Sequence, residues 1–188
     1  MQDEIVISGF GGQGVLFTGQ LLAYAGLMEG KQVAWVPSYG PEMRGGTAHA
    51  TVIISEEQIG SLIVSRPNIA IVMNLPSMER YNRILRPGGL LVVNSSLIPD
   101  KSDRQDITAL YVPANDIALS LGNDKLANVV ILGALIAERP LVSLQSLSAA
   151  LKKVLGEKKK RMFEVNEHAL HIGVEHAQKE RAVKADQA

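Results

Sequence analysis

A six-residue stretch, Gly9-Phe10-Gly11-Gly12-Gln13-Gly14, constrains the fold more than any other part of the 188-residue chain. An unbroken apolar run, Ile5-Val6-Ile7, precedes it, and a helical pattern starts at Val15 directly behind it. Glycine tolerates positive φ and lets backbone or ligand approach without a Cβ in the way. A helix start leaves N–H groups without intrahelical partners, and these attract anions. The stretch therefore predicts a strand–turn–helix unit able to cradle a phosphate.

The remaining pattern supplies the rest of the sandwich. Ile5 to Ser8 is continuously apolar, as a strand buried on both faces requires. The helix from Val15 to Glu29 carries a stripe of small residues, Gly19, Ala23, Gly26 and Gly30, read as a close-packing surface. Gln32 to Val36 forms a second strand, followed by a loop rich in proline and glycine from Pro37 to Gly46. Thr47 to Ser55 alternates Ala48, Ala50, Val52 and Ile54 with Thr47, His49 and Thr51, and the polar parity suggests a strand near a sheet edge or a solvent-filled interface. Strands follow at Asn68 to Asn74, Leu90 to Val93 and Ala109 to Pro113, with a helix from Met78 to Leu85 capped by Ser77.

Beyond Asn115 the periodicity is helical, over Asp116 to Leu121, Ala127 to Glu138, Leu144 to Leu155 and Lys158 to about Gln178. The helix from Ala127 is apolar all round, which predicts full burial or an interface. The last one sets Phe163, Asn166, Leu170, Gly173 and Ala177 on one face, and Lys158-Lys159-Lys160-Arg161 reads as its solvated start. The fold class is α/β: a Rossmann-like three-layer sandwich with a mostly parallel sheet and a helical C-terminal region. Residues 1–178 are read as one domain and 179–188 as a frayed tail.

Composition narrows the function. Lys plus Arg equal Asp plus Glu at 19 each, and only 4% of residues are aromatic, which argues against a nucleic-acid partner. There is no cysteine to hold a zinc ion or an iron–sulfur cluster. The start, Met1-Gln2-Asp3-Glu4, is unlike a signal peptide, and no apolar run reaches a membrane span. The expected setting is cytoplasmic. Glu164, Glu167, His168, His171 and Glu175 crowd one helix and read as a solvated face rather than a metal site, and His49 reads as an ordinary strand histidine.

The glycine spacing fits a dinucleotide fingerprint, but that site also needs an acid at the end of the second strand. Pro37-Ser38 stands there instead. A nucleoside-triphosphate loop would end in Gly-Lys-Ser/Thr, whereas this one reads Gly14-Val15-Leu16. What survives is a backbone cradle, Gly9, Gly11, Gly12, Gln13 and Gly14, beside a loop offering Ser38, Tyr39, Arg44, Gly45 and Gly46. Arginine suits phosphate geometry. No catalytic residue and no metal ligand set is identified.

Gly9 to Val15 and Ser38-Tyr39-Gly40-Pro41-Glu42-Met43-Arg44-Gly45-Gly46-Thr47-Ala48 together resemble the signature of the gamma subunit of 2-oxoacid:ferredoxin oxidoreductases. The order of elements is similar over almost the whole chain, including Asn128, Gly133, Asn166 and Gly173. The resemblance implies oxidative decarboxylation of a 2-oxoacid, such as pyruvate or 2-oxoglutarate, to an acyl-coenzyme A, with electrons passed to ferredoxin. It implies thiamine diphosphate and iron–sulfur clusters in partner subunits, since this chain has neither the Gly-Asp-Gly segment of thiamine sites nor cysteine. For this chain it implies coenzyme A as a substrate contact, no tightly bound cofactor and no activity alone. A homodimer of the isolated chain is possible. Two alternatives stay open: a docking subunit with no small-molecule site, and a free-standing nucleotide-binding enzyme.

Overall fold

Six strands form one sheet in the computed structural model, which describes residues 2–39, 46–156 and 159–186. In chain order the elements are β1 (Gln2–Phe10), α1 (Val15–Met28), β2 (Gln32–Tyr39), β3 (Thr47–Ser55), β4 (Ile69–Val72), α2 (Leu75–Ile84), β5 (Leu90–Asn94) and β6 (Thr108–Val112). Then follow α3 (Ala114–Ser120), a 3-10 turn (Asp124–Leu126), α4 (Ala127–Glu138), α5 (Leu144–Leu155) and α6 (Lys160–Asp186). The strand order is β2-β3-β1-β4-β5-β6. β4, β5 and β6 run parallel to β1, while β3 is antiparallel to both of its neighbours.

β3 lies near the sheet edge, as its parity suggests: it runs between β1 and β2, and β2 is the edge strand. Its polar residues His49 and Thr51 are half-buried on the face that α2 shields mainly over β1, β4 and β5. The crossover β1–α1–β2 leaves one strand's width between its two parallel strands, and β3 fills it. β2 also runs on to Tyr39, so Pro37 and Ser38 are strand rather than loop. An edge position accommodates Pro37, which has no N–H to donate.

Helices cover the two faces unequally. On one face α1 lies against β1, β2 and β3, with α4, α5 and α6 completing the larger core, which holds Ile5, Ile7, Leu21, Val52, Ile71 and Val130. Gly19 and Gly26 do serve close packing there: a Cβ on Gly19 would sit 2.9 Å from that of Ala50, and one on Gly26 2.8 Å from Val33 Cγ2. Gly30 lies beyond the helix at φ 74° with open space around it, so it belongs to the turn and not to the stripe. On the other face α2 buries Met78, Tyr81 and Leu85 against Val6, Ala70, Val72, Leu91 and Val93. α2 starts earlier than its pattern suggests, because Asn74 caps it by accepting from the Ser77 N–H at 3.0 Å. Ser77 is therefore free for a different contact.

α4 is buried from Ala127 to Ile136, as its apolar surface requires. It crosses α6 at two glycines. A Cβ on Gly133 would lie 2.1 Å from the Leu170 carbonyl oxygen, and one on Gly173 1.9 Å from that of Val130, so the two backbones touch. α5 is tied to the end of α1 by Glu29, which accepts from the Ser143 N–H at 2.6 Å, and by Lys31, which donates to the Leu141 carbonyl at 2.7 Å. No helix of the described residues is long and apolar enough to cross a membrane.

Candidate functional site

The glycine turn leaves the C-terminal end of β1, where parallel α/β sheets bind ligands. Gly12 and Gly14 have positive φ, 100° and 75°, a conformation that favours glycine. Gly14 is also the N-cap of α1 and has no side chain to satisfy the first N–H groups of the helix. A Cβ there would collide with the Asn128 side chain, whose Nδ2 donates to the Gly14 carbonyl at 3.3 Å. Gly9 is equally constrained, since a Cβ would fall 2.6 Å from Gln13 Oε1 and 2.8 Å from Met73 Cβ. At Gly12, by contrast, nothing lies within 4 Å of the Cβ position. Two of the glycines are thus set by packing, while Gly12 faces open space.

Gln13 is a brace. Its Oε1 accepts from the Phe10 N–H at 2.7 Å and its Nε2 donates to the Met73 carbonyl at 3.1 Å, locking the turn to the end of β4. The turn and the second motif meet through backbone: the Gly11 N–H donates to the Gly46 carbonyl at 2.9 Å. Between them lies a shallow groove of about 320 Å³, lined by Phe10, Gly11, Gly12, Gly14, Leu16, Phe17 and Ala48. Among the described residues that line it there is no acid, base or nucleophile. The groove is able to bind an anion through backbone N–H groups, and an apolar moiety against Leu16 and Phe17.

The sequence-derived set is only partly brought together. Gly11, Gly12, Gly14 and Gly46 converge, and Tyr39 closes β2 in register with Ala48 of the groove. Arg44 and Gly45 lie outside the described residues. Ser38 does not face the groove. It is in register with His49, and strand alternation turns both to the opposite side of the sheet.

There the register builds a polar row, Ser38–His49–Ser8, across β2, β3 and β1. Ser8 and Ser77 are buried with their Oγ atoms 2.8 Å apart, and Arg80 stands one helical turn beyond Ser77. Burial, and then the positive charge of Arg80, hold the His49 imidazole below its ordinary pKa. Burial likewise pushes the Tyr81 phenol up, against the opposing pull of Arg80 and Ser8. Sequence reading singled out Ser38 and His49 but did not bring them together with Ser8, Ser77 and Arg80 as this group. Its one local signal was Ser8, a polar residue ending an apolar strand.

The family model for pyruvate ferredoxin/flavodoxin oxidoreductase matches residues 4–176. The chain belongs to that family. Within it, the 2-oxoglutarate synthase subunit KorC of Methanocaldococcus jannaschii is 35% identical over 80% of this chain and 82% of its own length. The ketoisovalerate oxidoreductase subunit VorA of Methanothermobacter thermautotrophicus is 36% identical over 93% of this chain, yet the chain spans only 36% of it. The oxidoreductase domain therefore occurs in its relatives both at this size and within a polypeptide nearly three times as long. A keto/oxoacid ferredoxin oxidoreductase gamma subunit from Geobacter sulfurreducens PCA is 30% identical, with a TM-score of 0.79, covering 94% of this chain and 99% of that one.

Proposed function

We propose that this chain is the gamma subunit of a multi-subunit 2-oxoacid:ferredoxin oxidoreductase, and that its groove receives the pyrophosphate end of coenzyme A. The observation that carries the ligand reading is the junction of the two signature segments. The Gly11 N–H bonds the Gly46 carbonyl, and Gly12 beside it opens onto an unfilled groove at the N-terminus of α1. Packing explains why no side chain fits at Gly9 or Gly14, whereas Gly12 answers to its positive φ of 100° and leaves the groove beside it clear of any Cβ. A backbone cradle is what an incoming phosphate needs. Arg44, three residues before β3 begins, is proposed as the cation of the site, with thiamine and iron–sulfur chemistry left to partner subunits.

Two measurements test this. In the assembled enzyme, Gly12→Asp places a carboxylate in the groove and is expected to raise the coenzyme A requirement at least tenfold while the subunits still copurify. Arg44→Ala removes a charge-assisted contact worth about 1.5–3 kcal/mol, which predicts a similar rise. If Gly12→Asp instead abolishes copurification, the groove is a docking surface. Calorimetry on the isolated chain is expected to detect coenzyme A and to show no binding of NAD or NADP. Binding of either nicotinamide cofactor would restore the free-standing nucleotide enzyme.

A further inference from the structure

The sheet face opposite α1 is covered only in part. α2 shields β1, β4 and β5; over β2 and β3 the residues facing the same way include Ile53 and Ser55, which are buried, and towards the groove end Ala34, Val36, Ser38, His49 and Thr51, which are half-buried or exposed. Val36 is 40% exposed, and so is Phe10, which ends the same alternation on β1 and also borders the groove. At the margin Arg80 and Arg83 project from α2, and neither forms an ion pair among the described residues. Glu79, which precedes Arg80 on the helix, is not within ion-pair distance of either. A half-buried neutral histidine beside an unpaired guanidinium lacks one component, an anion.

We infer that the open face of β2 and β3, with Arg80 at its edge, seats the catalytic subunit of the same oxidoreductase, through an apolar surface bearing a carboxylate. This rests on the subunit reading above. Three observations favour that occupant. The margin carries two arginines, Arg80 and Arg83, against one glutamate, Glu79, a positive excess that complementarity pairs with an acidic group. The face is continuous with the groove through Phe10, so a subunit resting on it closes over the proposed coenzyme A site. The domain is also found within a relative of which it fills only 36%, so it meets further protein of that enzyme along some surface of its own. The competing exposed apolar segment, Leu62 and Ile63, follows the C-terminal end of β3 at the other end of the sheet, away from the groove.

Photo-crosslinking in the assembled complex, with a benzophenone amino acid in place of Val36, is expected to join this chain to the catalytic subunit. Arg80→Glu is expected to weaken that association at least tenfold and Arg80→Lys far less, with the unfolding midpoint of the free chain unchanged in both. Three crosslinking results overturn the proposal: a product with a second copy of this chain, a product with the iron–sulfur subunit, or no product while a probe at Ile63 reacts. A chain that copurifies with the other subunits but gives one of those results loses only this surface. A chain that does not copurify at all loses the subunit reading as well.

Discussion

Ser8 and Ser77 show what one buried hydroxyl pair does for the site. Each is 3% exposed, and each satisfies the other at 2.8 Å, joining β1 to α2 beneath His49. Removing one hydroxyl leaves its partner buried without a hydrogen bond, at a cost of about 1–3 kcal/mol, whereas removing both leaves nothing unsatisfied. Ser8→Ala and Ser77→Ala should therefore each destabilise, and the double variant should lose clearly less than their sum. A double-mutant cycle by urea unfolding measures the difference, and strict additivity would mean that the two hydroxyls are not paired. None of this is visible in the sequence, because Ser77 after Pro76 has the look of a helix cap and Asn74 takes that role instead. Gln13 was legible as part of the motif but not as its brace, since Met73 is 60 residues away. The glycines were legible because φ and close approach are local requirements, and glycine is the residue that meets them.

Among the elements, the α4–α6 crossing carries the strictest demand. A Cβ at Gly173 meets the Val130 carbonyl oxygen at 1.9 Å, and a backbone oxygen cannot turn aside as a side chain does. Gly173→Ala gains about 1 kcal/mol of helix propensity and loses more by forcing two packed helices apart. The net destabilisation is expected to be about 1–3 kcal/mol. Gly19→Ala, whose nearest neighbours are the side chains of Ala50 and Trp35, should cost less. Equal losses in guanidinium unfolding would show that the crossing yields. The 3.6-residue period gave α4 and α5 the ends that their sequences suggest, but not those of α6, which runs past Gln178 to Asp186, or the start of α2 at Leu75. Strand order was not readable. Nothing local in Thr47 to Ser55 says that it inserts between β1 and β2, because pairing depends on where α1 lays β2 down. Its alternation reported which residues face a helix and set the strand near an edge, but not which strand would lie outside it.

For the whole molecule, the open face couples assembly to protonation. In the free chain His49 is in register with Ser38 of β2 and Ser8 of β1 and feels the charge of Arg80 from α2, and among the described residues no carboxylate is paired to Arg80. Burial, then Arg80, depress its pKa below the ordinary 6.5. The unfolded chain thus takes up this proton first. The stability tied to neutral His49 is complete above about 6.5 and is lost as pH falls through the depressed folded value. A carboxylate brought by the catalytic subunit acts in the opposite sense, offsetting Arg80 and raising the pKa of His49. Assembly should then absorb protons between the free and bound values, and association should strengthen as pH falls through that interval, by up to tenfold for each unit of pKa rise. Calorimetric titration in two buffers of different ionisation enthalpy measures the uptake directly, and His49→Gln should remove it. Proton release on assembly would mean that burial at the interface deepens without an acid arriving, and the carboxylate would have to be withdrawn while the seat itself stood.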